Sequence, residues 1–240
     1  TTKGFRDVLE IARGNRPDLF NIRYKKPEPF VERYLRIEVN ERINYSGEVL
    51  TPLNTDELLS IVEYLKQHNV EAIAIAYLHA YQNPIHELQT AEYIQSIWPD
   101  VAITCSHEVT KEWREYERTN TTVFNSYVKP IANSYINNLR EKLDELKLVG
   151  KRYIMQSNGG TTSFDQAKET PINLIESGPV AGIYGAAVLG NLLNEENIIA
   201  FDIGGTTAKC SLISQGEVKI TTDYYIERNE KNAGYPVKVP

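Results

Sequence analysis

The chain has 240 residues, 41% of them hydrophobic and 24% charged, with a formal net charge of -6. That length holds one large domain or two modest ones with a full apolar core, and the composition is that of an ordinary globular protein. The acidic balance and the absence of a basic patch exclude a nucleic-acid-binding surface. Val70–Leu78, the most apolar run, is too short to span a bilayer, so no membrane association is expected. Cys105 and Cys210 have no C-x-x-C spacing and read as buried free thiols of a reducing compartment, which predicts a cytoplasmic location. A start without Met and an end inside an apolar alternation lead us to expect a piece of a longer protein.

Val8, Leu9 and Ile11 predict a short amphipathic helix, and 13–29, rich in Pro, Asn and charge, an irregular loop. Leu35, Ile37 and Val39 alternate along an expected hairpin over Arg33–Leu53, with its turn at Tyr45-Ser46-Gly47-Glu48. Asn54 and Glu57 open a helix carrying Leu58, Leu59, Ile61, Val62 and Leu65. A buried strand over Val70–Leu78, a helix over Glu87–Trp98 and a strand over Val101–Cys105 follow. This β-α-β rhythm predicts a parallel sheet covered by helices. The charge run Arg114, Glu115, Glu117, Arg118 reads as a solvated face. Thr119–Leu148 predicts one long helix with a kink or break at Pro130, its end over Leu139–Leu148 an amphipathic, highly charged and solvated connector. Lys151–Gln156 begins a strand that ends in Ser157-Asn158-Gly159-Gly160-Thr161, and Ser163 with Gln166 fits a capping box. A boundary near Val149-Gly150 gives expected domains 1–149 and 150–240.

Ile198–Ile213 is the most informative stretch. An apolar β-branched run reaches Asp202, breaks over Gly204-Gly205-Thr206-Thr207 and resumes as a second strand. Glycines permit φ > 0 and close approach of the backbone, so successive N–H groups from Gly204 to Thr207 can form a nest for phosphate. Asp202, at a strand's carboxyl end, is a hard carboxylate suited to Mg²⁺. Gly-Gly between strands is equally the chemistry of a plain hairpin turn. Upstream, Pro179 suits a first helical turn, and Ala181, Gly182, Gly185, Ala186 and Ala187 would let that helix approach another backbone. Small-residue helix, strand, Asp-x-Gly-Gly-Thr and strand together resemble the second phosphate loop of the actin, sugar-kinase and heat-shock-ATPase superfamily. That resemblance implies an α/β, actin-like, ribonuclease H-like ATPase fold of two lobes, present here in part. Neither a P-loop nor a G-x-G-x-x-G fingerprint occurs.

Seven ordered stretches resemble one family, the ATP-dependent hydantoinase/oxoprolinase family (N-methylhydantoinase A-like), which also contains acetone and acetophenone carboxylase subunits. They are 1–7 (TTKGFRD), 78–87 (LHAYQNPIHE), 106–109 (SHEV), 114–122 (REYERTNTT), 156–160 (QSNGG), 176–182 (ESGPVAG) and 202–207 (DIGGTT). The resemblance implies ATP and Mg²⁺ as cofactors and phosphoryl activation of a cyclic imide or lactam, of hydantoin or 5-oxoproline type, followed by ring opening. It also implies a second, hydantoinase B-type subunit, and ATP contacts at Asp202, Gly204, Gly205, Thr206, Thr207 and Asn158, with Asp202 the metal ligand. The family's N-terminal Asp-x-Gly-Gly-Thr loop has no counterpart here, so half an ATP site and no turnover by this piece alone are expected. Ala208-Lys209 replaces the family's Thr-Asp at the end of the loop, which puts a metal role for position 209 in doubt. Lys209 either pairs with phosphate or faces solvent.

Three further residues are catalytic candidates. His107 and Glu108 follow a strand end, a position for a general base or ligand and equally for a helix cap. Glu176, before the small-residue helix, would orient a water or merely cap. Asn158 would touch substrate or nucleotide, or serve its turn. His79 and His86 have no zinc spacing, because Pro84 intervenes. A carboxylase subunit of the same family and a non-catalytic actin-like ATP switch remain alternative functions.

Overall fold

The computed structural model describes residues 1–14, 20–205, 208–221, 224–226 and 234–238. These fall into two compact units, one within 1–133 and 223–238, the other within 134–222.

In the first unit, helix α1 (Val8–Ile11) buries Leu9, while Ile11 is 65% exposed. The expected long hairpin is much shorter. Arg33–Leu35 is a 3₁₀ turn, and pairing is confined to β1 (Arg42–Ile43) and β2 (Val49–Thr51). The reason is Arg36, a buried cation whose Nη1 donates to Glu10 at 3.0 Å and whose Nε donates to the Val31 carbonyl at 2.8 Å. Those bonds hold the segment out of a ladder. Asn44 closes the turn, its Oδ1 accepting from the backbone N–H groups of Ser46 and Glu48, and Gly47 adopts φ +87°.

Helix α2 (Asp56–Gln67) buries Leu58, Val62 and Leu65 at helical spacing. It leads into β3 (Ala72–Ile75), helix α3 (Ile85–Ile97) and β4 (Ala102–Cys105). Strands β3 and β4 pair in parallel, Ala72 opposite Ala102 through Ile75 opposite Cys105, so the β-α-β rhythm is realised with α3 as the crossover. Val39, Leu58, Val62, Ile75, Tyr77, Ile94, Val101 and Cys105 form the core there.

After the short helix α4 (Ser106–Val109), α5 (Glu115–Glu145) runs unbroken through Pro130. Its inner face is polar and anchors to strand backbone. Ser126 Oγ donates to the Ile73 carbonyl at 3.2 Å, and Lys129 Nζ donates to that of Ile103 at 2.9 Å. Such anchoring around residue 130 keeps helical a chain that proline alone would interrupt. The helix also starts at Glu115, which carries Glu117 and Arg118 into the interior at 1% exposure each. The solvated face expected there is only half realised: Arg114 and Glu115 are exposed, but Glu117 pairs with Arg13, and Arg118 is held by carbonyls.

In the second unit, Ile136, Leu139 and Leu143 of α5 pack with Phe164, while Glu141, Lys142 and residues 144–148 are exposed, so the end of the helix is amphipathic and charged as expected. Strands β5 (Tyr153–Met155) and β6 (Thr161–Ser163) form a hairpin; helix α6 (Phe164–Glu169) follows, with Ser163 Oγ accepting from Gln166 N at 3.2 Å as its cap. Helix α7 (Ser177–Leu193) leads into β7 (Ile198–Ile203), β8 (Ala208–Ser214) and β9 (Glu217–Val218), an antiparallel sheet. Close approach to α7 occurs at Gly190, where a Cβ would meet Ile198 Cδ1 at 2.1 Å. A Cβ on Gly182 or Gly185 would meet nothing within 4 Å. Strands β10 (Tyr224–Ile226) and β11 (Tyr235–Val237) belong to the first unit, where the Tyr235 ring lies 4.1 Å from that of Phe30. Among the described residues, no helix is long and apolar enough to cross a membrane.

Ile136 is fully enclosed. Replacing it with Ala should cost about 2–5 kcal/mol and with Val about 0.5–1.5 kcal/mol, read from urea unfolding midpoints. Equal losses would mean that the site collapses around the smaller side chain.

Candidate functional site

The carboxyl ends of the parallel strands β3 and β4 carry the densest polar chemistry. Glu87, in the first turn of α3, is completely buried. Its Oε1 accepts from the Tyr77 backbone N–H at 2.9 Å and from Ser106 Oγ at 2.6 Å. Its Oε2 accepts from the His107 backbone N–H at 3.1 Å and lies 2.6 Å from His107 Nδ1. Arg118 stands behind this group, its Nε donating to Ser106 Oγ at 3.2 Å and its Nη2 to the Tyr77 carbonyl at 2.7 Å. Burial pulls the Arg118 guanidinium below its ordinary value, against the pull of Glu87, Glu115, Tyr81 and Glu112.

A second pair sits one residue away. His86 Nδ1 lies 2.7 Å from Glu41 Oε2, with both side chains buried. The other Glu41 oxygen meets the Thr2 hydroxyl, which accepts from Leu78 N at 2.9 Å. An open groove of about 670 Å³, lined by Val49, Leu53, Ile85, Gln89 and Tyr93, runs past His86 and contains none of the sequence-predicted site residues. His79, at the end of the segment after β3, has φ +57°, a left-handed conformation unusual outside glycine and one that clusters at functional sites. Its Nδ1 lies 3.2 Å from the Tyr81 hydroxyl. Desolvation, with Arg42 and Arg118 nearby, lowers its pKa from the ordinary 6.5.

Glu87, Cys105 and His107 offer ligand atoms within 4.8 Å of one another. Their chemistry does not fit a metal. The carboxylate already accepts four hydrogen bonds, which fills its lone pairs. Burial, then Glu87 and Glu108, pushes the Cys105 thiol up, which disfavours the thiolate a metal would need.

The remaining predicted residues lie in the second unit. Asn158 and Gly159 form the β5–β6 turn, where Asn158 Oδ1 accepts from Gly160 N at 2.8 Å and its carbonyl accepts from Tyr184 Oη at 3.4 Å. Gly159, at φ +83°, lies so close to the Tyr184 ring that a Cβ would meet it at 2.1 Å. Asp202 and Lys209 are direct cross-strand partners, so both project from one face of the β7–β8 hairpin. Lys209 Nζ pairs with Glu176, itself at φ 64° before α7. Lys209 is therefore neither free in solvent nor available as an unpaired cation. The Asp202 carboxylate is exposed, with no hydrogen-bond or ion-pair partner among the described residues. Gly205 does not occupy the left-handed region that glycine would permit there. Thr206 and Thr207 lie outside the described residues. Cys210, expected to be buried, is exposed beside Phe201.

His107 and Glu108 belong to the first unit, and Asn158, Glu176, Asp202, Gly204 and Gly205 to the second. Glu108 is exposed. Sequence reasoning missed Glu87, Ser106 and Arg118. The available signal was an acidic residue in the first turn of a crossover helix with Ser-His directly after the next parallel strand, because strand ends and crossover starts converge.

The parallel β-α-β pair and the antiparallel glycine-turn sheet define a mixed α/β protein. Residues 118–240 match the Hydantoinase/oxoprolinase family and residues 1–98 match the Hydantoinase/oxoprolinase N-terminal region, so the chain belongs to the hydantoinase/oxoprolinase family. It is 43% identical to an uncharacterized protein of Methanocaldococcus jannaschii over 246 residues, covering 100% of this chain and 36% of that protein. It is 30% identical to the caprolactamase α subunit of Pseudomonas jessenii, covering 92% of this chain and 32% of the subunit. The nucleotide-free structure of acetone carboxylase superposes with a TM-score of 0.83 at 26% identity, covering 100% of this chain and 34% of that one. The chain thus spans about a third of the length of the curated relatives it matches.

His79 yields a pH test. Its folded pKa lies below the unfolded one, so its contribution to stability is present above the ordinary histidine pKa and is lost as pH falls through the folded value. The stability lost between about pH 7.5 and about pH 5.5 should shrink in His79→Gln. Urea midpoints at the two pH values provide the measurement; an equal loss in both proteins would show that other groups govern this window.

Proposed function

We propose that the chain is the nucleotide-binding segment of an ATP-dependent hydrolase subunit that opens a cyclic imide or lactam of hydantoin or 5-oxoproline type. Membership in the hydantoinase/oxoprolinase family carries this reading. The exposed, unpartnered carboxylate of Asp202 beside a glycine turn supports it. We further propose an actin-like, two-lobed fold, domains dividing near 149–150, and a hydantoinase B-type partner subunit. The antiparallel β7–β8–β9 sheet after a small-residue helix is consistent with the fold. Overall, a ring amide, ATP and two waters give the opened amino acid, ADP and phosphate, with the amide carbonyl oxygen taking the γ-phosphoryl group before the C–N bond breaks.

Such chemistry is mainly positioning and charge neutralisation. Mg²⁺ fits Asp202 as a hard ion that takes one or two carboxylates with phosphate oxygens and water, and when bound it would neutralise phosphate charge. Backbone N–H groups from Gly204 to Thr207 would face phosphate oxygens, and Asn158 would face nucleotide or substrate. Glu176, held by Lys209, would orient a water. His107, with Glu108 next to it, would accept a proton. A carboxylase subunit, which would use the same phosphoryl transfer on a ketone, is the second reading, supported by the likeness to acetone carboxylase at a TM-score of 0.83.

The intact protein with its partner subunit should hydrolyse ATP faster when a hydantoin or lactam is added. Stimulation only by a ketone with bicarbonate would select the carboxylase, and indifference to both would remove the enzyme reading. In addition, Asp202→Ala should lower Mg²⁺-dependent turnover by about 100-fold or more without moving the melting temperature, since a bound cation supplies several kcal/mol of charge stabilisation. Unchanged turnover would take Asp202 out of the site.

A further inference from the structure

Two Glu–His pairs lie side by side in the first unit, and they differ in one respect that decides what each can do. His86 and Glu41 are closed off, their side chains 4% and 0% exposed, and the Thr2 hydroxyl holds the far carboxylate oxygen. In the other pair the carboxylate is equally buried, but the His107 side chain is 14% exposed. Its Nε2 has no hydrogen-bond partner among the described residues. One edge of this ring is clamped and the other is open.

We propose that Glu87 is a positioning residue that fixes the proton of neutral His107 on Nδ1, leaving Nε2 as the proton-accepting atom at the carboxyl end of β4. The assignment follows from the donors. Glu87 receives N–H from Tyr77 and His107 and O–H from Ser106, so its oxygens are committed as acceptors. Ser106 Oγ donates to Glu87 and accepts from Arg118 Nε, which puts a guanidinium behind the carboxylate without a direct pair. An acceptor-only carboxylate 2.6 Å from Nδ1 requires the hydrogen on that nitrogen, and a neutral imidazole then has its lone pair on Nε2. When Nε2 takes a proton from water or a substrate N–H, the ring becomes an imidazolium, and the Glu87 carboxylate faces the new charge. The carboxylate itself takes no proton, as in a Ser-His-Asp triad.

The inference rests on the proposed hydrolase reading only for what donates the proton; the tautomer can be tested without turnover. Nitrogen-15 NMR of the intact protein, taken at a pH high enough that the His107 ring is neutral and with its signals assigned by their loss in His107→Gln, should show Nδ1 protonated and Nε2 bare. In Glu87→Gln the side-chain amide can donate to Nδ1, so the pattern should invert. With a stimulating cyclic imide or lactam, kcat should then fall about 10²- to 10⁴-fold, the range for loss of a positioned base or its tautomer. KM for ATP should change little, and Glu87→Asp should restore part of kcat. A wild-type ring protonated on Nε2 would overturn the proposal, whether or not any variant folds. Inversion in Glu87→Gln with kcat intact would also overturn it. If no cyclic compound stimulates the protein while the tautomer is as stated, the positioning stands and the hydrolase reading falls.

Discussion

A single buried anion organises the first unit. Taking a carboxylate out of water costs an effective several kcal/mol even after relaxation. Hydrogen bonds to a charged group return about 1.5–3 kcal/mol each, and Glu87 has four of them. Those donors come from the segment after β3, the start of α4 and the His107 ring, while Arg118 of α5 closes the back through Ser106. The carboxylate therefore ties two strand ends and three helices into one arrangement. Loss of one partner would strand the others, since a half-satisfied buried network costs more than an apolar one.

The second unit depends on different physics. Its hairpin has two unlike faces, because residues alternate along each strand. Ile198 and Ile213 are on the α7 side with Asp202 and Lys209, while Ile199, Phe201, Ile203 and Leu212 are 62–71% exposed on the other. Ion pairing between Lys209 and Glu176 fastens the start of α7 to β8.

Much of this was legible in the residues. The β3–α3–β4 crossover, the Ser163 cap, the strand and turn of β5 and the β7–β8 hairpin followed from periodicity and turn chemistry, which act over a few residues; the return strand β6 did not. Arg36, Glu117 and Arg118 were not, because a charged residue carries no local mark that it will be buried; only partners distant in sequence, such as Glu10 and Arg13, make that tolerable. Glu87 escaped for the same reason. In a string it is one acid among many on a helix, and its role appears once Tyr77, Ser106 and His107 are brought to it. Pro130 misled in the opposite direction, since tertiary anchoring overrode a strong local signal. The site candidates of the second unit were visible as a pattern, but the Lys209–Glu176 pairing depends on packing that spacing does not encode.

His86 and Glu87 are neighbours in sequence, yet the first gives its imidazole to Glu41 and the second gives its carboxylate to His107. Consecutive helical positions point about 100° apart, so both pairs close only at one rotation of α3 about its axis. The two pairs and the seat of Ile94 in the core together fix that rotation. One residue inserted within α3 between Glu87 and Ile94 would turn the paired end against the packed end by the same angle, so the helix could no longer serve both pairs and the core at once.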